Sequence, residues 1–263
     1  MSSTTRAPAG YYQNGGLAGW ASSPTVGLVG PAGLHLHEDW LAYTSGGTTR
    51  YGEVGWTKTN IGGGGATAIM QTPGAATEVG VIGLRSGSQS GRGATLNVNA
   101  TGQLYSPPVG MVWATKLDIS ATSDVEAWSG FTDSTNGRVR TSDATKFVGV
   151  RYLSTVGSWQ GVVKDGSGSA DETVVTIGNH SAGTYQVLGF EVVDTDGAGT
   201  AGVQFFTLAC SERRQWVRTD YGSPITANIP TNTGMIAAGV MTLSAAQRVV
   251  KQDFYTIGGR VAR

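Results

Sequence analysis

Hydrophobic and polar positions alternate with a period of two along most of the chain beyond residue 36. The clearest run is 111–119. There Met111, Trp113, Thr115, Leu117 and Ile119 share one face, while Lys116 and Asp118 lie on the other. That spacing predicts a half-buried strand. The same alternation, cut by turn clusters, predicts strands over 125–131, 147–153, 159–164, 173–177, 185–193, 203–208, 235–243 and 249–257. Shorter strands are expected at 40–43, 53–57, 66–71, 79–84 and 94–97. Asn136-Gly137, Asp165-Gly166 and Asp196-Gly197 mark turns, because their left-handed backbone matches the twist of flanking strands. Gly62 to Gly65 reads as a loop, and no amphipathic helix emerges; residues 243–250 could supply two helical turns at most.

Short strands of this kind cannot stand without a facing layer, so two antiparallel sheets are expected to pack face to face as an all-β sandwich. No linker interrupts 37–263, which is taken as one domain. Residues 1–36 keep neither period. Tyr11, Tyr12 and Trp20 stand among Gly, Ala, Ser and Pro, and Pro24 and Pro31 interrupt any strand. The expectation is an extended docking arm that buries these three rings against its own body or a partner.

Composition changes this picture little. The 263 residues include 41 Gly and only 14% charged positions, which raises the question of disorder. Seven Trp, nine Tyr and six Phe inside patterned runs, with 18 basic residues balancing 18 acidic ones, answer it against disorder. Zero net charge argues against a nucleic-acid binder, which would need a basic face. Arg213, Arg214 and Arg218 are offset by Glu212 and Asp220 and read as a solvated loop. Cys210 is the single cysteine, hence no internal disulfide, and its apolar setting makes it a small buried hydrophobe. Residues 1–10 carry no apolar signal core and no run of 18 apolar residues occurs, so neither secretion by a signal peptide nor a membrane span is expected.

Candidate chemistry is sparse. Asp124 and Glu126 would project to one face of a strand, but no third carboxylate continues the pattern that a glycosidase strand needs. His35 and His37 share a strand face without a third metal ligand, and His180 stands apart. Asp194-Thr195-Asp196-Gly197 has a fragment of a calcium loop without its distant Glu, and a hairpin turn explains it equally. Gly87 to Gly91 breaks the register of a nucleophile elbow, and Gly62 to Gly65 precede no helix that could bind phosphate. The expectation is therefore no enzyme, no metal and no cofactor. Trp113 and Trp159 read as core. If Phe131 faces inward, Trp128 lies on the opposite face beside Glu126. Two readings stay open there: an aromatic platform for a cell-surface glycan, or a ring covered by a loop or another subunit.

Several segments, taken in order, resemble a family. They are Glu38-Asp39-Trp40; Gly55-Trp56; 78–84 with Ser86-Gly87; 125–131 with Asp133-Ser134; Gly149, Tyr152 and Trp159; and 250–254. Over about residues 38–257 the chain resembles the concanavalin-like jelly-roll proteins of tailed bacteriophage virions. The resemblance implies a two-sheet jelly roll serving as a minor tail or tail-appendage protein or a capsid decoration protein. It also implies location in the virion, docking on other virion proteins through the arm, and a homo-oligomer, a trimer being one option.

Overall fold

The computed structural model describes residues 55–63, 80–98, 107–134, 144–210, 216–231 and 233–259. Shorter described pieces are 12–13, 16–17, 27–28, 34–38, 40, 50–51 and 67–70. The strands open with β1 (Tyr12–Gln13), β2 (Gly16–Leu17), β3 (Gly27–Leu28), β4 (Leu34–Glu38) and β5 (Arg50–Tyr51). Then come β6 (Trp56–Ile61), β7 (Thr67–Met70), β8 (Ile82–Arg85), β9 (Gly93–Asn97), β10 (Met111–Ile119) and β11 (Val125–Thr132). They continue as β12 (Lys146–Leu153), β13 (Ser158–Asp165), β14 (Glu172–Asn179) and β15 (Gln186–Asp194). The last four are β16 (Ala201–Cys210), β17 (Trp216–Ile225), β18 (Gly234–Thr242) and β19 (Val249–Gly259). Among the described residues the only helical piece is a single 3-10 turn at Ser169–Asp171.

Two antiparallel sheets carry the chain. The first runs β17-β16-β15-β10-β19-β4-β3, with β8 also on β19 and β7 on β8. The second runs β14-β13-β12-β11-β18-β9-β6-β5. The eleven residues of β19 serve two neighbours: Val249 to Gln252 pair with β8, and Tyr255 to Gly259 pair with β4. The expected all-β sandwich is thus the observed architecture.

The period-two pattern decides which side chains fill the space between the sheets. Trp113, Leu117 and Ile119 of β10 meet Val125, Ala127 and Phe131 of β11, with Val148, Val150 and Tyr152 from β12. A line of rings crosses this dry layer. Trp40 lies 6.0 Å from Trp56, Trp56 5.1 Å from Tyr255, Tyr255 5.8 Å from Trp113, Trp113 5.3 Å from Phe190, and Phe190 6.0 Å from Phe205. Mostly tilted and edge-to-face, these contacts add about 0.5–1.5 kcal/mol each to the area they bury. Trp113 and Trp159 are core, as the pattern requires.

Several sequence-based boundaries move. The proposed arm ending at residue 36 cuts through β4, which pairs with β19 in the first sheet, and β3 pairs with β4 in turn. The sheet therefore begins inside the arm. Tyr11 and Trp20 lie outside the described residues; Tyr12 stands on β1, but its side chain also lies outside them. Trp40, expected in a strand, sits at a bend with φ of 56°, its ring in the core. Residues 243–246 form bends instead of helical turns, and β19 has begun by Val249. One long strand, β17, is absent from the alternation pattern, as are the short strands β1 to β5.

Candidate functional site

Trp128 and Glu126 do lie on the face of β11 that points away from the core, and that face is closed. Both residues are only 2% exposed. Trp128 packs with Ile61, Phe147, Val162, Ile236 and Met241 in an apolar cluster on the outer side of the second sheet. Its indole lies flat across Gly239 of β18, its cross-strand neighbour, where any Cβ would collide with the ring. Between an open stacking platform and a covered ring, the structure chooses the covered ring. The reason is physical: with no side chain at Gly239, a large apolar ring gains more by lying on the sheet among apolar neighbours than by facing water. Asp124, with φ of 53°, has a side chain 53% exposed and pairs with Arg248 at 3.6 Å. Glu126 is buried, so the two carboxylates occupy unlike environments.

One charge-assisted network lies on this outer face. Arg151 of β12 binds Glu172 of β14 at 2.6 Å, and its Nε donates to Gln160 of β13 at 2.9 Å. This ties three strands together across the face.

The outer side of the first sheet carries a second apolar cluster: Val112, Ala114, Val187, Phe206 and Leu208, flanked by Trp216 and Phe254. Arg218 of β17 covers it, its guanidinium 4.3 Å above the Phe206 ring and its donors on Glu191 at 2.5 Å and Asp220 at 2.6 Å. The expected solvated arginine loop is therefore corrected at Arg218, which is a paired cation on a strand. Burial works to lower its pKa, and the hydrogen bonds from Glu191 and Asp220 outweigh that and raise it. Arg213, Arg214 and the Cys210 side chain lie outside the described residues.

At the end of the sandwich where β14 approaches β16 and β17 lies a cleft of about 510 Å³. Tyr185, Trp216 and Tyr221 line it with Lys116, Asn179 and Gln186. Its walls are braced. Gln186 Nε2 donates to the Asn179 carbonyl at 2.9 Å, and Thr207 Oγ1 bonds Tyr221 Oη at 3.1 Å. Behind Gln186 the His180 ring is buried between the sheets, with Nδ1 3.1 Å from Gln186 Oε1 and Nε2 3.2 Å from the Ile119 carbonyl. His180 Nε2 also lies 3.8 Å from Asp118 Oδ1. Burial raises the Asp118 carboxyl above its ordinary range, against opposing pulls from His180, the Gly183 amide and Lys251.

The Asp194–Thr200 hairpin resolves its own ambiguity. Asp194 Oδ1 accepts from the amides of Asp196, Gly197 and Gly199, and Asp196 Oδ1 accepts from Ala198 and Thr200. The Thr200 hydroxyl, with the Ala198 and Thr200 amides, holds the Asp196 pKa well below the carboxylate range. These carboxylates cap turn amides, as Asx turns do. Among the described residues no group of three His, Cys, Asp or Glu converges on one point. His35 and His37 stand on β4 opposite Gly258 and Thr256, their side chains outside the described residues.

No protein-family model matches the chain, and no curated protein matches it. Solved structures do share its fold. A protein of unknown function from Shewanella oneidensis MR-1 superposes with a TM-score of 0.57 at 10% identity, covering 92% of this chain and 94% of that one. An immunostimulatory antigen and pseudo β-1,3-glucanase of Mycobacterium tuberculosis gives 0.51 at 10% identity over 85% and 98%. A native glycosidic hydrolase gives 0.50 at 12% identity over 85% and 94%. At such identities the likeness establishes the fold, a concanavalin-like jelly roll, and nothing finer. It nonetheless overturns the expectation of no enzyme. That expectation rested on a missing carboxylate motif, whereas the shared scaffold is one on which a glycosidic hydrolase and a pseudo-glucanase both occur.

Proposed function

We propose that this jelly roll is a structural subunit of a tailed bacteriophage virion, a minor tail or tail-appendage protein or a capsid decoration protein. One observation carries the reading: the motif residues behind the resemblance meet in space. Gly130 and Gly149 are directly paired between β11 and β12, and a Cβ on either would run into the other's backbone. Tyr255 Oη donates to the Gly130 carbonyl at 3.2 Å, and Trp56 packs on Tyr255. Tyr152, on the same strand as Gly149, packs on Trp159 of the neighbouring β13 at 5.7 Å. Motif residues from 56 to 159, joined by Tyr255 one position past the last motif, thus set one local geometry, which supports taking their order in the sequence as a family mark. Association into a homo-oligomer, and docking on other virion proteins through the N-terminal residues, belong to the same proposal.

The test is incorporation. Particles would be purified from a strain carrying the intact gene and one carrying a truncation, and the protein counted per particle by quantitative mass spectrometry. Removing residues 2–26 spares β3 and β4, whereas removing 2–35 would also take β3 and the first two residues of β4, the strand beside β19. Many copies per particle point to decoration, and a few copies with loss of adsorption point to the tail. Absence from purified particles refutes the proposal. Unchanged incorporation of the 2–26 truncation removes the arm from it.

A further inference from the structure

We propose that the cleft between β14 and β15–β17 is a binding site for a neutral saccharide that presents a vicinal diol. This goes beyond an assembly role and does not rest on it. The cleft's 510 Å³ lies in the range of small-ligand sites. Three half-buried rings, Tyr185, Trp216 and Tyr221, line it and offer apolar faces to the C–H face of a sugar ring.

The polar side of the argument is Lys116. It lines the cleft, lies 5.1 Å over the Tyr185 ring and is ion-paired to Asp253. Asp253 reaches this position through a β-bulge. Lys116 pairs with Phe254 and Leu117 with Gln252, so Asp253 is the extra residue on β19. Bulges re-aim single side chains in this way, often beside sites. Asp253 does not itself line the cleft; it joins the site through Lys116, and the two form a half-buried ammonium and carboxylate held together with no net charge. One hydroxyl of a diol can accept from Nζ while its neighbour donates to the carboxylate, so both partners keep charge-assisted bonds. A phosphate or carboxylate ligand would have to displace Asp253 first. The pair therefore selects for neutral ligands.

The cleft is also kept open and rigid. β14 has its own bulge at Ile177, since Trp159 pairs with Gly178 and Gln160 with Thr176. Gly178 then lines the cleft with no side chain and φ of +127°. The Gln186–Asn179 and Thr207–Tyr221 bonds hold the walls before any ligand arrives, which lowers the cost of ordering on binding.

The probe is a printed array of neutral and sialylated glycans, read with the full-length chain, with inorganic phosphate as a separate anion probe in solution. The expected result is binding to at least one neutral glycan, weakened roughly tenfold or more in Trp216→Ala and in Lys116→Gln. Trp128→Phe, on the other sheet, should leave it unchanged. Asp253→Asn frees Lys116 and should weaken the neutral glycan while introducing measurable phosphate binding. Thermal melting of each variant separates lost binding from lost folding, and Lys116→Gln, at a half-exposed site, serves if Trp216→Ala does not fold. An array without a neutral hit, a hit untouched by both cleft variants, or binding confined to anionic probes would each overturn the proposal.

Discussion

Trp128→Ala separates a covered indole from a surface platform by its effect on stability. An exposed ring can be truncated within about 0.5 kcal/mol, as most surface substitutions are. Trp128 is instead 2% exposed on Gly239 and among five apolar side chains, so truncation leaves a cavity the sheet cannot close. Large-to-small changes of this kind cost roughly 3–5 kcal/mol. In a chain of this size each kcal/mol moves the melting midpoint by about 2–4 °C, so a drop of roughly 6–20 °C is expected by calorimetry. Trp128→Phe should cost less, since it keeps a ring on Gly239 and removes an indole N–H that has no hydrogen-bond acceptor. Gly239→Ala tests the same contact from the other side. Its Cβ would enter the indole, for an overpacking cost of about 1–3 kcal/mol. That cost depends on the ring being there. In a Trp128→Ala background Gly239→Ala should be neutral or favourable, giving a coupling of about 1–3 kcal/mol in a double-mutant cycle. Additivity of the two changes in urea unfolding, or a Trp128→Ala midpoint within a degree or two of the parent, would refute the packing argument.

Three further outcomes follow from other parts of the molecule. Glu172→Gln leaves the Arg151 guanidinium short of a charged partner on a closed face and should cost about 1–3 kcal/mol in urea unfolding; a neutral result would mean the pair is solvated. Burial raises the Asp118 carboxyl above its ordinary 3.8, so its contribution is intact below that value and declines as pH rises through the folded pKa; wild type should therefore lose stability relative to Asp118→Asn over that window, and a relative gain would contradict the sign. Asp194→Ala removes the acceptor for three turn amides and should loosen the 194–200 hairpin to hydrogen exchange, whereas millimolar calcium should leave the wild-type melting midpoint unmoved; a calcium-dependent rise would reinstate a cation loop.

The sequence carried the two-sheet fold because period two is a local signal, and it lost whatever depends on which strands become neighbours. β10 and β11 are central strands with one face in the dry layer, so their alternation is plain. β17 is an edge strand bonded only to β16, and its residues are all half-buried or exposed without a sustained alternation, with charges at Arg218 and Asp220. Pro224 near its end also argues against a strand by the usual rule, yet an edge with a register shift between Val203 and Phe205 accommodates it. The cleft was illegible for a stronger reason. Lys116, Tyr185, Trp216 and Tyr221 come from two strands and a loop spread over more than a hundred residues of the chain, and Asp253 reaches Lys116 only through a bulge.

The glycines show why composition alone misleads here. A glycine-rich, charge-poor chain invites thoughts of linkers and disorder, yet several glycines inside strands have a ring resting on them. Trp128 lies on Gly239 and Phe206 on Gly189, each across a strand pair, while Phe205 reaches over the core to Gly161. A strand glycine ordinarily weakens a sheet through lost entropy and lost packing. A ring laid across it restores the packing, and the missing Cβ lets the ring approach the backbone closely. The two features the composition sets apart, many glycines and many aromatics, are thus halves of one packing device. It follows that a strand glycine under a ring and a glycine in an open turn should respond differently to alanine. Gly161→Ala should be among the costlier substitutions, because Phe205 has a facing sheet behind it and little room to retreat. At Gly199, where φ is +97° and the space is open, only backbone strain of about 1–2 kcal/mol opposes the change.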